Sequence, residues 1–168
     1  MDLSDITIYY LEMLAAPQLE VPAPLDQLTV RHLPQPDLRF YRSLYHDVGS
    51  GFNWTSRKRM SDETLIRIIH DPRVEFYTVH VGDKVAGFAE LDRRQIDEVE
   101  IVQFGLIPEF TGIGLGKWFL KWVIDRCWSF QPKRVWLHTC TLDHVAALPN
   151  YLKAGFTQYH EEQIPNDA

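Results

Sequence analysis

The stretch Phe110-Thr111-Gly112-Ile113-Gly114-Leu115-Gly116-Lys117 decides the fold, because it joins a predicted strand to a predicted amphipathic helix. Glycines at alternate positions leave backbone N–H groups open and let an anion approach closely. The N-terminus of the following helix adds the positive end of its dipole, which favours a phosphate. The stretch therefore predicts an anion site, with a simple glycine-rich turn as the alternative.

Two widespread phosphate-binding loops fit this stretch less well. The dinucleotide-binding fingerprint needs a third glycine where Lys117 stands. A Walker A loop needs glycine at Thr111 and serine or threonine at Trp118, and the chain has neither. Both nucleotide folds are therefore disfavoured as explanations of these glycines.

Hydrophobic periodicity and turn residues predict the elements around the stretch. Strands are expected over 28–33, 74–81, 84–91, 98–107, 134–141 and 156–160, and helices over 36–49, 61–71 and 114–128, with a short helix ending at Gly155. Residues 6–13 are expected to form a short strand or helix. This order predicts an α/β fold of the α+β sandwich type with a mixed sheet, because strict strand–helix alternation is missing.

Composition limits the classes of protein to which this chain belongs. Its 168 residues with 45% hydrophobic content fit one domain with a real core. A net charge of -6 disfavours a nucleic-acid binder, and no apolar stretch reaches the ~20 residues that a membrane span needs. Two cysteines do not make a disulfide framework and no signal peptide is recognisable, so we expect a cytoplasmic protein.

A second motif lies downstream, at Ala147-Leu148-Pro149-Asn150-Tyr151-Leu152-Lys153-Ala154-Gly155-Phe156. Together with the strand, Pro108-Glu109 and the glycine-rich stretch, it resembles motifs A and B of the GNAT superfamily, the acetyl-CoA-dependent N-acetyltransferases. The resemblance covers roughly residues 28–160 and implies a GNAT-type mixed, mostly antiparallel central sheet flanked by helices. We accordingly predict a GNAT acetyltransferase domain over residues 28–168, preceded by an N-terminal extension, 1–27, that has room for an extra strand.

The resemblance implies that acetyl-CoA is the acetyl-donor cosubstrate. The backbone of Phe104, Gly105 and Leu106 would pair with the pantetheine arm like an extra strand. Loop amides would hold the cofactor pyrophosphate, and they belong to Thr111, Gly112, Ile113, Gly114, Leu115, Gly116 and Lys117. The family usually has glutamine or arginine where Thr111 stands. The backbone amides are therefore expected to provide most of the hydrogen bonds to the pyrophosphate. Pro149 lacks an N–H and predicts a kinked or late-starting helix in the second motif.

Amide formation from a thioester needs a base for the amine, an oxyanion donor and an acid for the departing thiolate. The resemblance assigns the acid to Tyr151, with a packed aromatic ring as the alternative. Glu100 is the expected base, because Glu100-Ile101-Val102 resembles a segment of the histone acetyltransferase branch, and a solvent-facing carboxylate is the alternative. Glu98 lies on the same face of that strand, and Glu90 is a reserve. A backbone N–H of the Leu106 strand is the expected oxyanion donor, and a strand bulge, which the sequence does not show, would help to expose it.

The expected acceptor is a primary amine of a small molecule, with Trp54 and the loop 51–59 at its pocket. That loop carries Arg57-Lys58-Arg59, which is either a solvated cluster or an anion contact. A protein or peptide N-acetyltransferase and a non-catalytic acyl-CoA-binding regulatory module are the alternatives. No nucleic-acid or membrane partner is expected, and a homodimer is left open.

His138, Cys140 and His144 raise the question of a metal site or a covalent nucleophile. His138 and Cys140 share one strand face, but a fourth ligand for tetrahedral zinc is not evident. A small buried thiol and strand histidines explain these residues adequately, so neither a metal nor a covalent nucleophile is expected.

Overall fold

The computed structural model describes residues 5–52 and 54–166 of the chain. Residues 1–4 of the predicted N-terminal extension and Asn53 of the loop 51–59 lie outside the described residues. The elements in chain order are β1 (Ile6–Met13), β2 (Leu28–His32), α1 (Leu38–Gly49), α2 (Asp62–Ile69), β3 (Val74–Val81), β4 (Lys84–Asp92), β5 (Glu98–Leu106), a 3-10 turn (Pro108–Phe110), α3 (Leu115–Ser129), β6 (Arg134–Cys140), α4 (Ala147–Lys153) and β7 (Thr157–Ile164).

These strands form one seven-stranded sheet in the order β2-β3-β4-β5-β6-β1-β7. Neighbouring strands run antiparallel except β5 and β6, which are parallel. α3 and α4 pack on one face of the sheet, and α1 and α2 pack on the other. The predicted mixed, mostly antiparallel sheet flanked by helices is confirmed.

Side-chain caps begin the two helices of the N-terminal half. Asp37 accepts a hydrogen bond from the N–H of Phe40 at 3.1 Å, and this bond fixes the start of α1. Ser61 accepts from the N–H of Thr64 at 3.2 Å, as its position before Asp62 and Glu63 predicted for α2. Both helices therefore start where a short polar side chain satisfies an otherwise unpaired N–H.

Alternation along the strands divides the interior into two cores, one on each face of the sheet. The predicted stripe of α3 is fully buried in the first core, through Leu115, Phe119, Val123 and Cys127. The second core packs α1 and α2 against Phe76 and Phe88, through Tyr41, Leu44, Tyr45, Val48, Leu65 and Ile69. The sheet is thus held from both sides, and each face receives side chains of alternate strand positions.

The N-terminal strand β1 lies inside the sheet, between β6 and β7. Its register pairs Tyr10 with His138 on one side and with His160 on the other. The last strand continues to Ile164, beyond the predicted end at His160, because Ile6 of β1 is there to pair with it. The division of the chain at residue 27 stays a prediction, although β1 and the strands after residue 28 share one sheet.

Candidate active site

The strands β5 and β6 separate along their length and leave an opening between them. They pair over Glu98–Glu100, and the last pair joins Glu100 to Trp136. Beyond that point β5 continues to Leu106 with β4 as its paired neighbour, through Ala89, Phe88 and Gly87. The other edge of 104–106 therefore presents backbone N–H and C=O groups to an extended ligand, as an edge strand does.

A β-bulge interrupts β5 just before this open edge. Glu90 of β4 pairs with Gln103 whereas Leu91 pairs with Ile101, so Val102 is the extra residue. The bulge changes the alternation, and as a result both Ile101 and Phe104 belong to the core beneath α3. A bulge re-aims the backbone groups on either side of it, and here it does so where the opening begins.

The glycine-rich turn follows the open edge and leads into α3. Gly112 and Gly114 have φ angles of 78° and 86°, a left-handed conformation that favours glycine. Gly114 is the N-cap of α3 and offers no side-chain cap, so the first N–H groups of the helix lack intrahelical partners. The first turn carries Lys117 and no acidic residue. These features together make a site for an anion at the helix N-terminus.

The Thr111 side chain turns back into its own loop. Its hydroxyl donates a hydrogen bond to the carbonyl of Pro108 at 2.7 Å. The same carbonyl accepts from the Thr111 N–H at 3.2 Å, which closes the 3-10 turn. The Thr111 amide, which was expected to hold the pyrophosphate, is therefore used within the loop. The donors left facing outward are the backbone amides after Thr111 and the Lys117 ammonium.

Tyr151 lies on α4, opposite the open edge of β5. It is 8% exposed, and its ring makes edge contacts with Phe104 and Phe156 at centroid distances of 6.3 and 6.1 Å. Burial raises the pKa of the phenol, and the nearby carboxylate of Asp143 raises it further. Pro149 sits in the first turn of α4, where the missing N–H has no intrahelical acceptor to lose, so the helix accommodates it.

Asp143 ties the loop after β6 to the loop after α1. It accepts hydrogen bonds from the Thr139 hydroxyl, from the Cys140 N–H at 3.2 Å, and from Nε1 of Trp54 at 3.1 Å. Since Trp54 precedes α2 and Asp143 precedes α4, this last bond spans the opening between β5 and β6. The sequence offered no signal for Asp143, because its role depends on two loops that lie far apart in the chain.

Trp54 occupies a slot made by two glycines. A side chain at Gly105 of β5 would begin 3.2 Å from Cη2 of the indole, and one at Gly49 would begin 2.4 Å from its Cβ. The indole also packs against Tyr45 and Phe88, at centroid distances of 5.4 and 6.1 Å. The residue predicted to contact the acceptor therefore lies directly on the open edge of β5.

Glu100 is the carboxylate at the point where the opening between β5 and β6 begins. It is half-buried on the α1 side of β5, at the last residue before β5 and β6 part. Burial raises its pKa to about 7, with further contributions from the charges of Asp92 and Glu90. Glu98 lies on the same face, as predicted, but its carboxylate is 3.5 Å from Nε of Arg134 at the closed end of the strand pair.

Glu90 is buried in a cluster that the sequence did not predict. It is 1% exposed, accepts from the Tyr41 hydroxyl and pairs with the Arg57 guanidinium, which is 7% exposed as a residue. The expectation of a solvated basic cluster at 57–59 is therefore wrong for Arg57. A buried ion pair between residues 33 positions apart leaves no local pattern, since only the tertiary fold brings the two groups together.

Removal of the Glu90 charge should strongly destabilise the protein. Glu90→Gln leaves the Arg57 guanidinium buried without a counter-ion, and we expect a loss of about 3–5 kcal/mol in the free energy of unfolding. Tyr41→Phe removes one hydrogen bond to the same carboxylate and should cost about 1 kcal/mol. Urea denaturation of the two variants measures both values. Equal losses in the two variants would contradict the assignment of an ion pair as the main interaction of Glu90.

A family comparison identifies this arrangement. The family model described as "Acetyltransferase (GNAT) family" matches residues 39–156, which is most of the chain. The chain belongs to the GNAT acetyltransferase family. The matched span contains the open edge of β5, the glycine-rich turn and α4, and the predicted membership is confirmed. A comparison of the sequence with curated proteins gives no significant match.

Solved structures with the same fold include proteins of several kinds. The ribosomal-protein-S18-alanine N-acetyltransferase from Escherichia coli is 22% identical, with 79% of each chain covered and a TM-score of 0.64. An acetyltransferase from Bacillus subtilis, solved in complex with CoA, is 21% identical over 77% of this chain and 76% of its own, with a TM-score of 0.60. At this identity the likeness establishes the fold.

A conserved protein from Staphylococcus epidermidis, described as functionally unknown, also matches. It is 15% identical, with 94% of this chain covered and a TM-score of 0.62. The chain spans 59% of the length of that protein. The GNAT architecture seen here is thus also found as part of a longer chain.

The linker between β1 and β2 crosses the face of the GNAT sheet that carries α3 and α4. Pro17 lies against Gly155 after α4, and Pro24 lies against Gly114 at the start of α3. The segment between these two prolines can span at most about 25 Å. Leu19 packs on the core along the way. The first 27 residues therefore contact both motifs that carry the family resemblance.

Two further features of the GNAT chain bear on its chemistry. Across residues 5–52 and 54–166, no group of three His, Cys, Asp or Glu side chains is placed to hold a metal ion. Burial raises the pKa of the Cys140 thiol, which makes it a poorer nucleophile.

Across residues 5–52 and 54–166, no helix has the length and apolar character that a membrane crossing requires.

Proposed function

We propose that this GNAT chain moves an acetyl group from acetyl-CoA to a primary amine of a small molecule, by direct attack within a ternary complex. The observation that carries the proposal is the open edge of β5, which lies beside the glycine-rich turn and between Glu100 and Tyr151. A thioester laid along that edge has a candidate base on one side and a candidate acid on the other. Family membership supports acyl transfer as the reaction class.

The proposed site for acetyl-CoA has two parts. Amides of residues 112–117 hold the pyrophosphate at the N-terminus of α3, assisted by Lys117. The amide groups of the pantetheine arm pair with the free backbone edge of Phe104, Gly105 and Leu106, as an added strand does. The CoA complex of the Bacillus subtilis acetyltransferase, which has the same fold, supports a ligand of this type.

A negative charge at Gly116 should weaken acetyl-CoA binding without harming the fold. A side chain at this position meets only the Leu106 side chain, at 3.7 Å, and an aspartate in the first helical turn is favourable for the helix itself. Gly116→Asp should therefore keep its melting temperature but bind acetyl-CoA at least about tenfold more weakly, because the carboxylate repels the pyrophosphate. Calorimetric titration measures the affinity.

The matched control is Lys133→Gln. It changes the net charge by the same amount at a side chain that is 83% exposed and lies before β6. The affinity of this variant for acetyl-CoA should equal that of the wild type. An unchanged affinity in Gly116→Asp would remove the glycine-rich turn from the cofactor site.

Among the carboxylates of this region, Glu100 best suits the role of base. A pKa near 7 makes it partly deprotonated at neutral pH and a useful acceptor for the proton of an ammonium, directly or through water. Glu90 is held by Arg57 and Tyr41, and Glu98 lies by Arg134 at the closed end of the strand pair. Glu100 combines a raised pKa with a place at the opening.

The reaction then needs an oxyanion donor and an acid. Attack of the amine nitrogen on the thioester carbon forms the C–N bond, and backbone N–H groups of β5 next to the Val102 bulge stabilise the oxyanion. Collapse breaks the C–S bond, Tyr151 protonates the thiolate, and Glu100 receives the proton from the amine. The dry site that raises the pKa of the phenol also raises that of the thiolate, so the transfer between them stays feasible.

An amine panel tests the proposed function. The protein is incubated with acetyl-CoA and with either small primary amines or short peptides, and released thiol and acetylated product are measured. We expect thiol release that depends on a small amine. Turnover with peptides alone would assign the chain to the protein or peptide N-acetyltransferases, and binding of acetyl-CoA without any transfer would assign it to the regulatory acyl-CoA-binding modules.

The placement of the reaction in the cell is part of the same proposal. We infer a cytoplasmic protein whose catalytic domain spans residues 28–168, with the preceding residues 1–27 as an extension. The two cysteines, Cys127 and Cys140, are free thiols, which suits a reducing compartment.

A further inference from the structure

One half of the sheet is left uncovered on the face that carries Glu100. α1 and α2 pack over β3 and β4 on this face, whereas the described helices leave its β6, β1 and β7 positions open. These positions carry a contiguous set of rings, here called the ring face, which consists of Tyr10, Trp136, His138, Tyr159 and His160. Tyr10 and Trp136 are half-buried, whereas His138, Tyr159 and His160 are exposed, and a contiguous aromatic patch open to solvent is a feature of binding surfaces.

The register of the strands explains why these rings meet. Tyr10 of β1 pairs with His138 of β6 and with His160 of β7, and paired residues project from the same face. The centroid of the Tyr10 ring lies 5.7 Å from that of His138 and 5.2 Å from that of His160. Trp136 extends the row at 6.4 Å from His138. The rings therefore form one continuous floor and not separate contacts.

The ring face begins next to the proposed base. Glu100 is the register partner of Trp136 in the parallel pair, so the two side chains are neighbours on one face. Adjacent strands lie about 4.8 Å apart, which places Tyr10 about 10 Å from the Glu100 strand. An acceptor whose amine reaches Glu100 therefore has its body over Trp136 and its far end near Tyr10.

Glu12, Glu98 and Glu162 border the rings, and Arg134 lies over the rings of Trp136 and Tyr159, at 5.2 and 5.0 Å from their centroids. Glu12 and Glu98 both approach Arg134, at 2.9 and 3.5 Å, so that a single guanidinium serves two carboxylates. Glu162 accepts a hydrogen bond from the Tyr10 hydroxyl at 3.0 Å and is exposed at the far end of the face. Rings bordered by an excess of carboxylates attract a cation and repel an anion.

We propose that the ring face is the acceptor subsite and that it selects small amines bearing a second cationic centre, which Tyr10 and Glu162 receive. The inference rests on the proposed acetyl transfer and names its substrate class as short diamines. The reacting amine lies by Glu100 while the second ammonium lies over the rings, held by cation–π attraction and by the carboxylates. The distance from Glu100 to Tyr10 suits a short flexible chain between the two nitrogens.

Cadaverine and pentylamine form a matched pair of probes, since they differ by one terminal ammonium. We expect the wild-type kcat/KM to be about tenfold higher for cadaverine, the size of a good cation–π contact. Tyr10→Leu should bring the ratio close to one, mainly through KM for cadaverine. Tyr9→Leu is the control, because Tyr9 pairs with Thr139 and lies on the opposite face of the same strand. Its ratio should equal that of the wild type.

The results separate this inference from the proposed function. Calorimetric titration of cadaverine into the CoA-bound protein measures the subsite without chemistry. If cadaverine binds in the wild type, binds more weakly in Tyr10→Leu and is never acetylated, the subsite stands and acetyl transfer fails. If pentylamine reacts as well as cadaverine and the variants keep that ratio, the subsite is overturned while acetyl transfer stands. Turnover of a lysine-bearing peptide but not of cadaverine would also overturn it.

A milder variant protects the test against misfolding. Glu162→Gln removes a charge from an exposed side chain of β7 and keeps an acceptor for the Tyr10 hydroxyl. It should lower the cadaverine-to-pentylamine ratio of kcat/KM by severalfold. A ratio unchanged by Glu162→Gln, in a protein with wild-type melting temperature, would count against the cationic subsite.

Discussion

Replacement of Tyr151 by phenylalanine should lower kcat by about 100-fold or more while acetyl-CoA binds almost as before, because general acid catalysis contributes factors of that order. The ring contacts with Phe104 and Phe156 do not involve the hydroxyl, so phenylalanine keeps the packing of α4. Steady-state kinetics give kcat, and calorimetric titration gives the affinity for acetyl-CoA.

The control for this variant is Tyr9→Phe, which removes a phenol hydroxyl from β1. Its kcat should equal that of the wild type. An unchanged kcat in Tyr151→Phe would contradict the acid role and leave Tyr151 as a packed aromatic ring. A loss of acetyl-CoA binding equal to the loss of kcat would likewise remove the acid role, since it would place the effect in cofactor binding.

Glu100→Gln should remove the part of the pH profile that belongs to the base. In the wild type we expect kcat to rise with pH through about 7, because only the ionised carboxylate accepts a proton. The variant should lose about 100-fold in kcat at pH 8, and its remaining rise with pH should follow the amine itself. Glu98→Gln, on the same face of β5, is the matched control and should keep both the rate and the profile.

Stability should change in the opposite direction to activity. The pKa of Glu100 is raised in the folded state, from 4.5 to about 7, so the folded protein loses stability as the pH rises through this window. Glu100→Gln carries no such charge and should have a larger free energy of unfolding than the wild type at pH 8. Reduced activity together with reduced stability would point to a structural role for Glu100 in place of the proposed catalytic one.

Local sequence patterns were sufficient to predict the helices, the strands and the glycine-rich turn. Ser61 before two acidic residues predicted the start of α2, and the glycine spacing before Lys117 predicted the turn with open backbone N–H groups that precedes α3. These features depend on neighbours within a few residues along the chain. The second motif placed Tyr151 on a short helix next to the same site, and the structure has it facing Phe104 of β5.

Features that depend on pairings between residues far apart in the chain could not be predicted from the sequence. The place of β1 between β6 and β7 follows from pairings such as Ile6 with Ile164, at opposite ends of the chain. The Val102 bulge was expected only in general terms, because its position depends on the register with β4. The bond from Trp54 to Asp143 joins two loops that have no local pattern in common.

The N-terminal strand β1 also contributes to the proposed acceptor subsite. Without β1, the face beside Glu100 would end at β6, and the rings of Tyr10 and His160 would not meet those of Trp136 and His138. The strand therefore completes the sheet and also builds the floor on which we place the acceptor. Residues 1–27 thus contribute to both halves of the proposed site, since their linker also contacts Gly114.

The most direct measurement of the proposed reaction is a single turnover with isotopically labelled acetyl-CoA. The protein is mixed with the labelled thioester and with cadaverine, quenched at intervals, and analysed by mass spectrometry for label on the amine and on the protein. Direct attack predicts that labelled amide appears at the rate of thiol release and that no label resides on the protein. Label on the protein, at Cys140 for example, or thiol release without amide, would contradict direct transfer at this site.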